Sequence, residues 1–506
     1  MLTDPGRHLA DSVSRLADCL AHWAAVAPDH PALLHEGQSF DYAALDAAVS
    51  ETAERLETRG LRPGDRLFIV GENTPATVML VLAGNRAGGV VSVVNGRMAD
   101  SEIRTLHDFA DPRIAAFACD GSAAATAHAR ALGAEGDGPI RLGQTRDSLP
   151  EPRGQDPRRD TALIMFTSGT TGRPKGVMLS NACLLDQAKS QCIARALTPA
   201  DTLYAVSPLS HNIGLVGNVL AAFAAGCRTV LPIRHDAGYL ARMLAEGEIT
   251  VIVGVPQLYA GLVEHAVREG MTFDGARLRV AGSGGAPLDP ALKERVRGLL
   301  GVNLSNGYGA TEFVPVSRTP LHLLDRELAA NVVGVPSEGV ELRIVDADGT
   351  DRPEGEAGEI WVRGPFMMQG YFRNAEATDE VMRPGGWLAT GDIGEFRDGL
   401  LSIVGRQKEI IIRSGFNVYP TDVEAALSTH PDVSAVAVVG RPVQGNEEIV
   451  AYVTALPGRS LDPQALRDFV RPVLTAYKIP SEIVVLDVMP VGPTGKILKA
   501  ALKTRA

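Results

Sequence analysis

The sequence predicts an α/β protein with two domains. A large N-terminal domain (1–405) has parallel or mixed sheets flanked by helices plus a β-rich subdomain, and a small α+β domain follows (406–506). The chain has 506 residues, and a single core rarely grows past about 250–300 residues. Strand-like apolar runs alternate with helical patterns through about residue 310, which favours parallel sheets covered by helices. Beyond about residue 330, glycine, proline and short β-like runs become frequent.

The first third of the chain shows this alternation most clearly. Short apolar runs rich in β-branched residues indicate buried strands, and apolar residues at helical spacing indicate amphipathic helices. The predicted helices cover 12–27, 43–59 and 75–87, and the predicted strands cover 66–70, 90–94 and 161–166.

The later elements follow from the same patterns. The predicted strands cover 340–345, 359–362, 433–439, 448–454 and 482–486, and the predicted helices cover 421–429 and 463–475. An uncharged apolar stretch at 213–227 has 15 residues, fewer than the roughly 20 that cross a bilayer. We therefore expect it to be a buried helix.

Composition and charge exclude several classes of protein. The formal net charge of −11 argues against nonspecific nucleic-acid binding, which needs a basic surface. No pair among the five cysteines has C-x-x-C spacing, so neither a zinc site nor a redox site is predicted. The N-terminus lacks an apolar run behind a basic start. Together these features predict a cytoplasmic protein without a transmembrane segment.

A loop suited to phosphate lies at residues 167–176, directly after an apolar strand. Glycines expose backbone N–H groups to an anion, hydroxyls donate to phosphate oxygens, and a lysine adds positive charge. It is not a Walker A loop, because Lys175 lies between Pro174 and Gly176. The candidate phosphate ligands are Thr167, Ser168, Gly169, Thr170, Thr171 and Lys175.

Four further segments follow this loop in a fixed order: 306–312, 390–392, 405–408 and 490–496. Together with the loop they resemble the superfamily of acyl-CoA synthetases, peptide-synthetase adenylation domains and firefly-type luciferases. The resemblance spans residues 23–503 and is closest in type to acyl- or aryl-CoA ligases. It implies that ATP activates a carboxylic acid as its acyl-AMP, with Mg²⁺, and that the acyl group then passes to the thiol of coenzyme A.

The resemblance assigns roles around the nucleotide. Glu312 is expected to hold Mg²⁺, because carboxylate oxygen suits this cation, and Thr311 to contact phosphate. Tyr308 would stack on the adenine, while Asn306 bonds its exocyclic amine and Gly307 lies between them.

The ribose and the reacting atoms have their own candidates. An ionised Asp392 can only accept hydrogen bonds, which suits the two ribose hydroxyls as donors. Arg406 is expected to add hydrogen-bond donors at the same sugar. Lys496 carries a compact charge on a flexible stem. It is expected to reach between the acid and the α-phosphate as the catalytic cation.

Adenylation requires Lys496 in the site, whereas attack by the thiol requires that space to be free. A mobile C-terminal lid would allow both. The resemblance places the pivot at Lys408. Gly415 would line the thiol tunnel, where the missing Cβ lets a pantetheine arm pass, although a simple β-turn is the alternative.

The acyl pocket is expected near residues 207–214, where the family has Pro-Leu-aromatic-His and this chain has Ser210 at the aromatic position. His211 is either a gate beside the carboxylate or a structural histidine. Gly284 and Ala286 lie in a segment that resembles the family's Gly-x-Ala-Pro-Leu element beside adenine. Because these segments hold no arginine that would pair a second carboxylate, we expect an aryl or medium-chain monocarboxylic acid.

Other functions stay open at this point. The acceptor could be the phosphopantetheine of a separate carrier protein, and a luciferase-like oxidative step is a weaker alternative. A non-catalytic adenylate-binding regulator is disfavoured by the four charged residues Lys175, Glu312, Asp392 and Lys496. A homodimer and a lysine acetyltransferase acting on Lys496 are further partners to consider.

Overall fold

The structure is a computed structural model. It describes residues 13–505 except for a few short segments, which are 137, 169–173, 274–275, 325, 327, 330, 415, 444–445, 457 and 493–496. The sites predicted at Gly169, Thr170, Thr171, Gly415 and Lys496 therefore lie outside the described residues, and Ser168 is described by its backbone alone.

The helices are distributed along the whole chain. The α-helices are α1 (Leu16–Val26), α2 (Tyr42–Thr58), α3 (Pro75–Arg86), α4 (Asp100–Ala110), α5 (Ala123–Ala131), α6 (Asn181–Arg195), α7 (Ala221–Ala225), α8 (Ala237–Ala245), α9 (Pro256–Glu269), α10 (Pro290–Leu300), α11 (Ala375–Val381), α12 (Pro420–Ser428), α13 (Pro463–Val470) and α14 (Lys499–Lys503). A π-helix covers Ile213–Leu220, and 3₁₀ turns cover Pro157–Arg159, Leu321–Leu323, Gln407–Glu409 and Ala476–Lys478.

The strands form two large sheets and two small ones. They are β1 (Pro31–His35), β2 (Gln38–Asp41), β3 (Arg66–Gly71), β4 (Val90–Asn95), β5 (Ile114–Ala118), β6 (Ile140–Leu142), β7 (Thr161–Ser168), β8 (Pro174–Ser180), β9 (Thr202–Tyr204), β10 (Arg228–Val230), β11 (Val251–Gly254), β12 (Val280–Gly284), β13 (Leu304–Ala310), β14 (Phe313–Arg318), β15 (Val332–Pro336), β16 (Glu341–Val345), β17 (Gly358–Arg363), β18 (Gly370–Tyr371), β19 (Met382–Arg383), β20 (Trp387–Arg397), β21 (Leu400–Arg406), β22 (Ile411–Arg413), β23 (Phe416–Val418), β24 (Val433–Val443), β25 (Asn446–Ala455) and β26 (Glu482–Val485).

The strand order confirms the predicted α/β class. One large sheet has the order β16-β17-β20-β21-β15-β14-β13-β12-β11-β9-β10-β1-β2, with β19 beside β20, and the second has the order β18-β8-β7-β4-β3-β5-β6. The strands from β9 to β13 are parallel neighbours, as are β3, β4 and β5. The β-rich part from β14 to β21 is antiparallel.

Local sequence explains the element boundaries that position the site. All residues of β3 and β4 are buried, as expected for strands covered on both faces. Helix α3 then begins at Pro75, whose fixed φ suits a first helical position. Thr74 caps this helix, because its side chain accepts a hydrogen bond from the Thr77 N–H. A single large core joins both large sheets to helices α1, α2 and α3.

Two predicted helices differ from the structure. The stretch 213–227 forms the π-helix followed by the short α7, which ends at Gly226 with φ +75°. The helix predicted for 463–475 ends at Val470, because Pro472 has no backbone N–H to continue the helical hydrogen bonds.

The C-terminal part has its own small core. Strands β24, β25 and β26 form a separate three-stranded sheet, and β22 pairs only with β23 among the described strands. Buried residues of α12, α13 and these strands pack together. Within the described residues, no helix is both long and apolar enough to cross a membrane.

Candidate active site

The predicted phosphate loop lies in sequence between β7 and β8, which pair as antiparallel strands and are called the phosphate hairpin below. Thr167 lies opposite Lys175, and Ser168 lies opposite Pro174. This register places Lys175 at the start of β8, opposite the end of β7. Residues 169–173 lie outside the described residues.

Lys175 and Glu312 approach the same tyrosine. The Tyr371 hydroxyl donates to Glu312 Oε1 at 2.6 Å, and Lys175 Nζ lies 4.6 Å from the centroid of the Tyr371 ring. Burial and the Glu312 carboxylate raise the pKa of Tyr371, which keeps the hydroxyl protonated. Thr311 is half-buried beside Glu312 in the turn between β13 and β14.

The candidate ribose site is built on adjacent strands. Asp392 on β20 lies opposite Arg406 on β21, and Arg406 Nε donates to Asp392 Oδ1 at 3.0 Å. The Tyr308 hydroxyl donates to Asp392 Oδ2 at 2.6 Å. Burial raises the pKa of Asp392 despite the opposing charge of Arg406, while Asp392 raises the pKa of Arg406.

The contact of Tyr308 with Asp392 was not foreseen from sequence. Burial, with Asp392 as the next cause, raises the pKa of Tyr308 well above its ordinary value. The phenol therefore stays a donor, and it ties the residue predicted to stack on adenine to the residue predicted to bind ribose.

The candidate adenine wall is formed by two parallel strands. Gly284 on β12 lies opposite Gly307 on β13, and Ser283 lies opposite Asn306. The Asn306 side chain is held by the protein, since its Oδ1 accepts from the Gly307 N–H at 3.1 Å and its Nδ2 donates to the Val332 carbonyl at 3.4 Å. Ala286 follows in the half-exposed loop before α10.

The candidate acyl loop is braced by Asn73, a residue that the sequence analysis missed. Asn73 Nδ2 donates to the Val206 and Ser207 carbonyls at 3.0 and 3.1 Å, and its Oδ1 accepts from the Leu209 N–H at 3.0 Å. A polar pair directly after a buried strand, at 72–73, was the available signal.

His211 lies at the end of this loop. Its Nδ1 is 3.3 Å from the Ile213 backbone nitrogen and accepts from that N–H. Gly214 follows at a close backbone approach, because an added Cβ would lie 2.2 Å from the Pro208 carbonyl oxygen and 2.3 Å from that of Ser207. The contacts of His211 fit both the gate and the structural interpretation.

The predicted pivot, Lys408, lies in the 3₁₀ turn that directly follows β21. Next to it, Glu409 accepts from Lys499 Nζ at 2.9 Å, and Glu424 contacts the same ammonium at 2.9 Å. These half-buried ion pairs connect the turn and α12 to α14, the helix that begins three residues after position 496.

The donor set is consistent with a metal that arrives with the nucleotide. The part of the chain that the structure describes contains no group of three or more His, Cys, Asp or Glu arranged for a metal ion. Glu312 offers hard carboxylate oxygen beside the phosphate hairpin, and Mg²⁺ commonly takes one or two carboxylates plus substrate phosphates. The residues present therefore fit Mg²⁺ bound with a nucleotide.

Comparisons with known proteins agree with this geometry. A feruloyl-CoA synthase from Amycolatopsis sp is 33% identical over 489 residues, which cover 95% of this chain and 97% of that protein. A sulfoacetate–CoA ligase from Cupriavidus necator is 32% identical over 97% of this chain and 98% of its own length. The structure of Bacillus subtilis O-succinylbenzoate coenzyme A synthetase with ATP and magnesium superposes with a TM-score of 0.82 at 27% identity, covering 96% of this chain and 99% of that one.

Two family models also match the chain. The model of AMP-binding enzymes matches residues 20–372, and that of the AMP-binding enzyme C-terminal domain matches residues 422–496. The first match alone covers more than half of the chain. The chain therefore belongs to the family of AMP-binding enzymes.

Proposed function

We propose that this chain is an ATP-dependent acid–CoA ligase that releases AMP and pyrophosphate. Its relatives are named as CoA ligases and synthetases, and they match nearly the whole chain. The observation that carries the proposal is the convergence of Lys175, Tyr371 and Glu312 beside the loop end of the phosphate hairpin.

In the first half-reaction, an oxygen of the acid attacks the α-phosphorus of ATP, and the bond to the β-phosphate breaks. Pyrophosphate leaves with the electron pair, and the acyl-AMP remains. The barrier comes largely from bringing two anions together, which preorganised cations and donors lower. Lys175 supplies one such charge at the hairpin, and Lys496 is proposed as the cation between the acid and the α-phosphate.

Glu312, together with nucleotide phosphates, would hold Mg²⁺. The bound ion would neutralise phosphate charge. On this proposal Glu312 orients the nucleotide, Asp392 and Arg406 hold the ribose, and Tyr308, Asn306, Gly307, Gly284 and Ala286 surround the adenine.

In the second half-reaction, the sulfur of coenzyme A attacks the acyl carbonyl carbon. The bond to AMP breaks, AMP leaves with the electron pair, and the thiol proton goes to solvent. We propose that residues 406–506 pivot at Lys408 to withdraw Lys496 and to place Gly415 along the thiol path. The separate pairing of the described strands before and after residue 406 supports this domain division.

The acid is proposed to be an aryl or medium-chain monocarboxylic acid. The relatives are named for chemically different acids, so the family alone does not select one. A cytoplasmic location, a homodimer and acetylation of Lys496 stay predictions.

A direct test incubates the protein with ATP, Mg²⁺ and a panel of aryl, medium-chain and dicarboxylic acids. Each reaction contains coenzyme A, a phosphopantetheinylated carrier protein or no thiol. Pyrophosphate release and the thioester mass are measured. We expect acid-dependent pyrophosphate release and a thioester with coenzyme A.

The other outcomes separate the alternatives. If a thioester forms only on the carrier protein, the acceptor is the carrier protein and not coenzyme A. Nucleotide binding without pyrophosphate release for any acid would indicate a non-catalytic regulator and would overturn the proposed enzyme.

A further inference from the structure

One tyrosine separates the two charged side chains that face the phosphate hairpin. Tyr371 presents its hydroxyl to Glu312 at 2.6 Å and its ring face to Lys175, whose Nζ is 4.6 Å from the ring centroid. Within the described chain, Lys175 forms no salt bridge with Glu312.

The fold holds Tyr371 in place from both sides. Its short strand β18 pairs with β8, so that Tyr371 lies opposite Val177. Next to it, the Phe372 N–H donates to the Gly176 carbonyl at 2.7 Å, and further back the Met368 N–H donates to the Glu312 carbonyl at 2.9 Å. Tyr371 itself is only 6% exposed. The segment 368–372 thus ties the hairpin to the turn that carries Glu312.

The chemistry of the side chain suits both neighbours at once. An aromatic face attracts an ammonium through its quadrupole, and an O–H donated to a carboxylate is roughly twice as strong as a neutral hydrogen bond. A lysine and a glutamate that share a cleft without a spacer would be free to pair with each other, which would leave neither charge available to a metal–nucleotide complex.

We propose that Tyr371 is a positioning residue that keeps the Lys175 and Glu312 side chains apart. It thereby holds Lys175 in position for phosphate and Glu312 in position for Mg²⁺. The inference rests on the proposed function, because it assigns Glu312 to the metal that accompanies ATP. It predicts that the Tyr371 hydroxyl governs the part of nucleotide affinity that depends on Mg²⁺.

The test measures binding without turnover. Isothermal calorimetry gives the Kd of α,β-methylene-ATP, whose bridging carbon blocks pyrophosphate release, in Mg²⁺ and in EDTA. The ratio of the two Kd values reports the gain in affinity due to the metal. In Tyr371→Phe, which keeps the ring and removes the hydroxyl, we expect this gain to fall about 10-fold.

A second variant separates the ring from the hydroxyl. Tyr371→Leu removes both, so we expect the same loss of the metal-dependent gain and, in addition, a metal-free affinity weakened about 3-fold through Lys175. If Tyr371→Leu does not fold, as thermal unfolding would show, Tyr371→Phe alone still decides the question.

Tyr42→Phe is the matched control. It also removes a buried tyrosine hydroxyl, which donates to the Cys227 carbonyl at 2.8 Å, and it should leave the metal-dependent gain unchanged. An unchanged gain in Tyr371→Phe, or an equal weakening with and without Mg²⁺, would show a merely structural role and overturn the inference. A wild-type protein that does not bind the analogue would overturn the nucleotide site itself, whereas missing acid activity with normal binding would count against the proposed function alone.

Discussion

The Asp392 carboxylate is held on both of its oxygens by other side chains of the protein. Tyr308 donates to one oxygen and Arg406 to the other. Each carboxylate oxygen can accept more than one hydrogen bond, so room remains for ribose hydroxyls. Because the protein contacts fix the plane of the carboxylate, Asp392 is a preorganised acceptor.

Replacing Asp392 with asparagine should weaken ATP recognition. Asp392→Asn removes the charge that pairs with Arg406 and offers only one acceptor atom. We expect the KM for ATP to rise about 10-fold to 100-fold, as for loss of hydrogen bonds to a charged group. Steady-state kinetics with varied ATP checks this.

Asp398→Asn serves as the control, because Asp398 is exposed in the turn between β20 and β21. An unchanged KM for ATP in Asp392→Asn, with kinetics like those of the control, would remove Asp392 from the nucleotide site.

The role proposed for Lys496 predicts different effects on the two half-reactions. Lys496→Ala should abolish acyl-AMP formation, with a loss of about 100-fold or more expected for a preorganised charge at the reacting atoms. It should spare thioester formation from supplied acyl-AMP. Pyrophosphate release and single-turnover thioester formation are measured separately.

Lys503→Ala, an exposed lysine at the end of α14, is the control for this experiment. Equal losses in both half-reactions of Lys496→Ala would contradict the assignment.

At the scale of elements, the π-helix after His211 is the least regular part of the site. The sequence predicted one buried helix there. The structure instead has the Gly217 carbonyl accepting from Arg195 and the Asn218 amide donating to the Val253 carbonyl at 3.1 Å. The contact from Arg195 on α6 thus competes for a carbonyl of the helix, while the Asn218 side chain ties the helix to β11. π-turns often occur at functional sites.

A substitution at Gly214 tests whether this element shapes the proposed acyl pocket. In Gly214→Ala the new Cβ would meet backbone oxygens at 2.2 and 2.3 Å, so the loop before His211 must move. We expect a higher KM for the acid, an unchanged KM for ATP, and a loss of stability of about 1–3 kcal/mol. Acid titrations and chemical denaturation measure these effects.

Gly298→Ala is the matched control on α10, where an added Cβ meets nothing within 4 Å. It should stabilise the helix by roughly 0.5–1 kcal/mol. If Gly214→Ala behaves like this control, the loop is not held against the π-helix as the structure indicates.

At the scale of the whole molecule, the proposed alternation between the two half-reactions depends on one turn. This turn lies between the strands up to β21 and the strands from β22 onward, which pair separately. The 3₁₀ turn Gln407–Glu409 follows β21 directly, and the Lys499 ion pair joins that turn to the C-terminal helix. A rotation at Lys408 would therefore carry α14 and the preceding lysine loop together.

Fixing the backbone at the pivot should affect the second half-reaction more than the first. Lys408→Pro locks φ and restricts the preceding residue. We expect a loss of thioester formation at least about 10-fold larger than the loss of pyrophosphate release, if one torsional state is favoured by about 1.4 kcal/mol. Stopped-flow assays of each half-reaction measure the difference.

Lys408→Ala is the control, since it removes the side chain and keeps torsional freedom. Parallel losses of both steps in Lys408→Pro would mean that the pivot lies elsewhere.

The sequence by itself determined the α/β class, most strand positions and the ordered segments that place the chain in its family. These features depend on local periodicity and on short motifs, which neighbouring residues specify. The observed strands at 66–71 and 90–95 are each only one residue longer than predicted. The agreement is close because a continuous apolar run can be recognised without knowing which strand it pairs with.

Only the tertiary structure decided how distant residues share one site. Tyr371 reaches Glu312 across 59 positions of sequence, and Tyr308 reaches Asp392 across 84. No spacing rule joins such pairs, because their distance is set by which strands are neighbours in the sheets. The contact of Arg195 with the π-helix and the bracing by Asn73 were hidden for the same reason, since both join residues that are far apart in sequence.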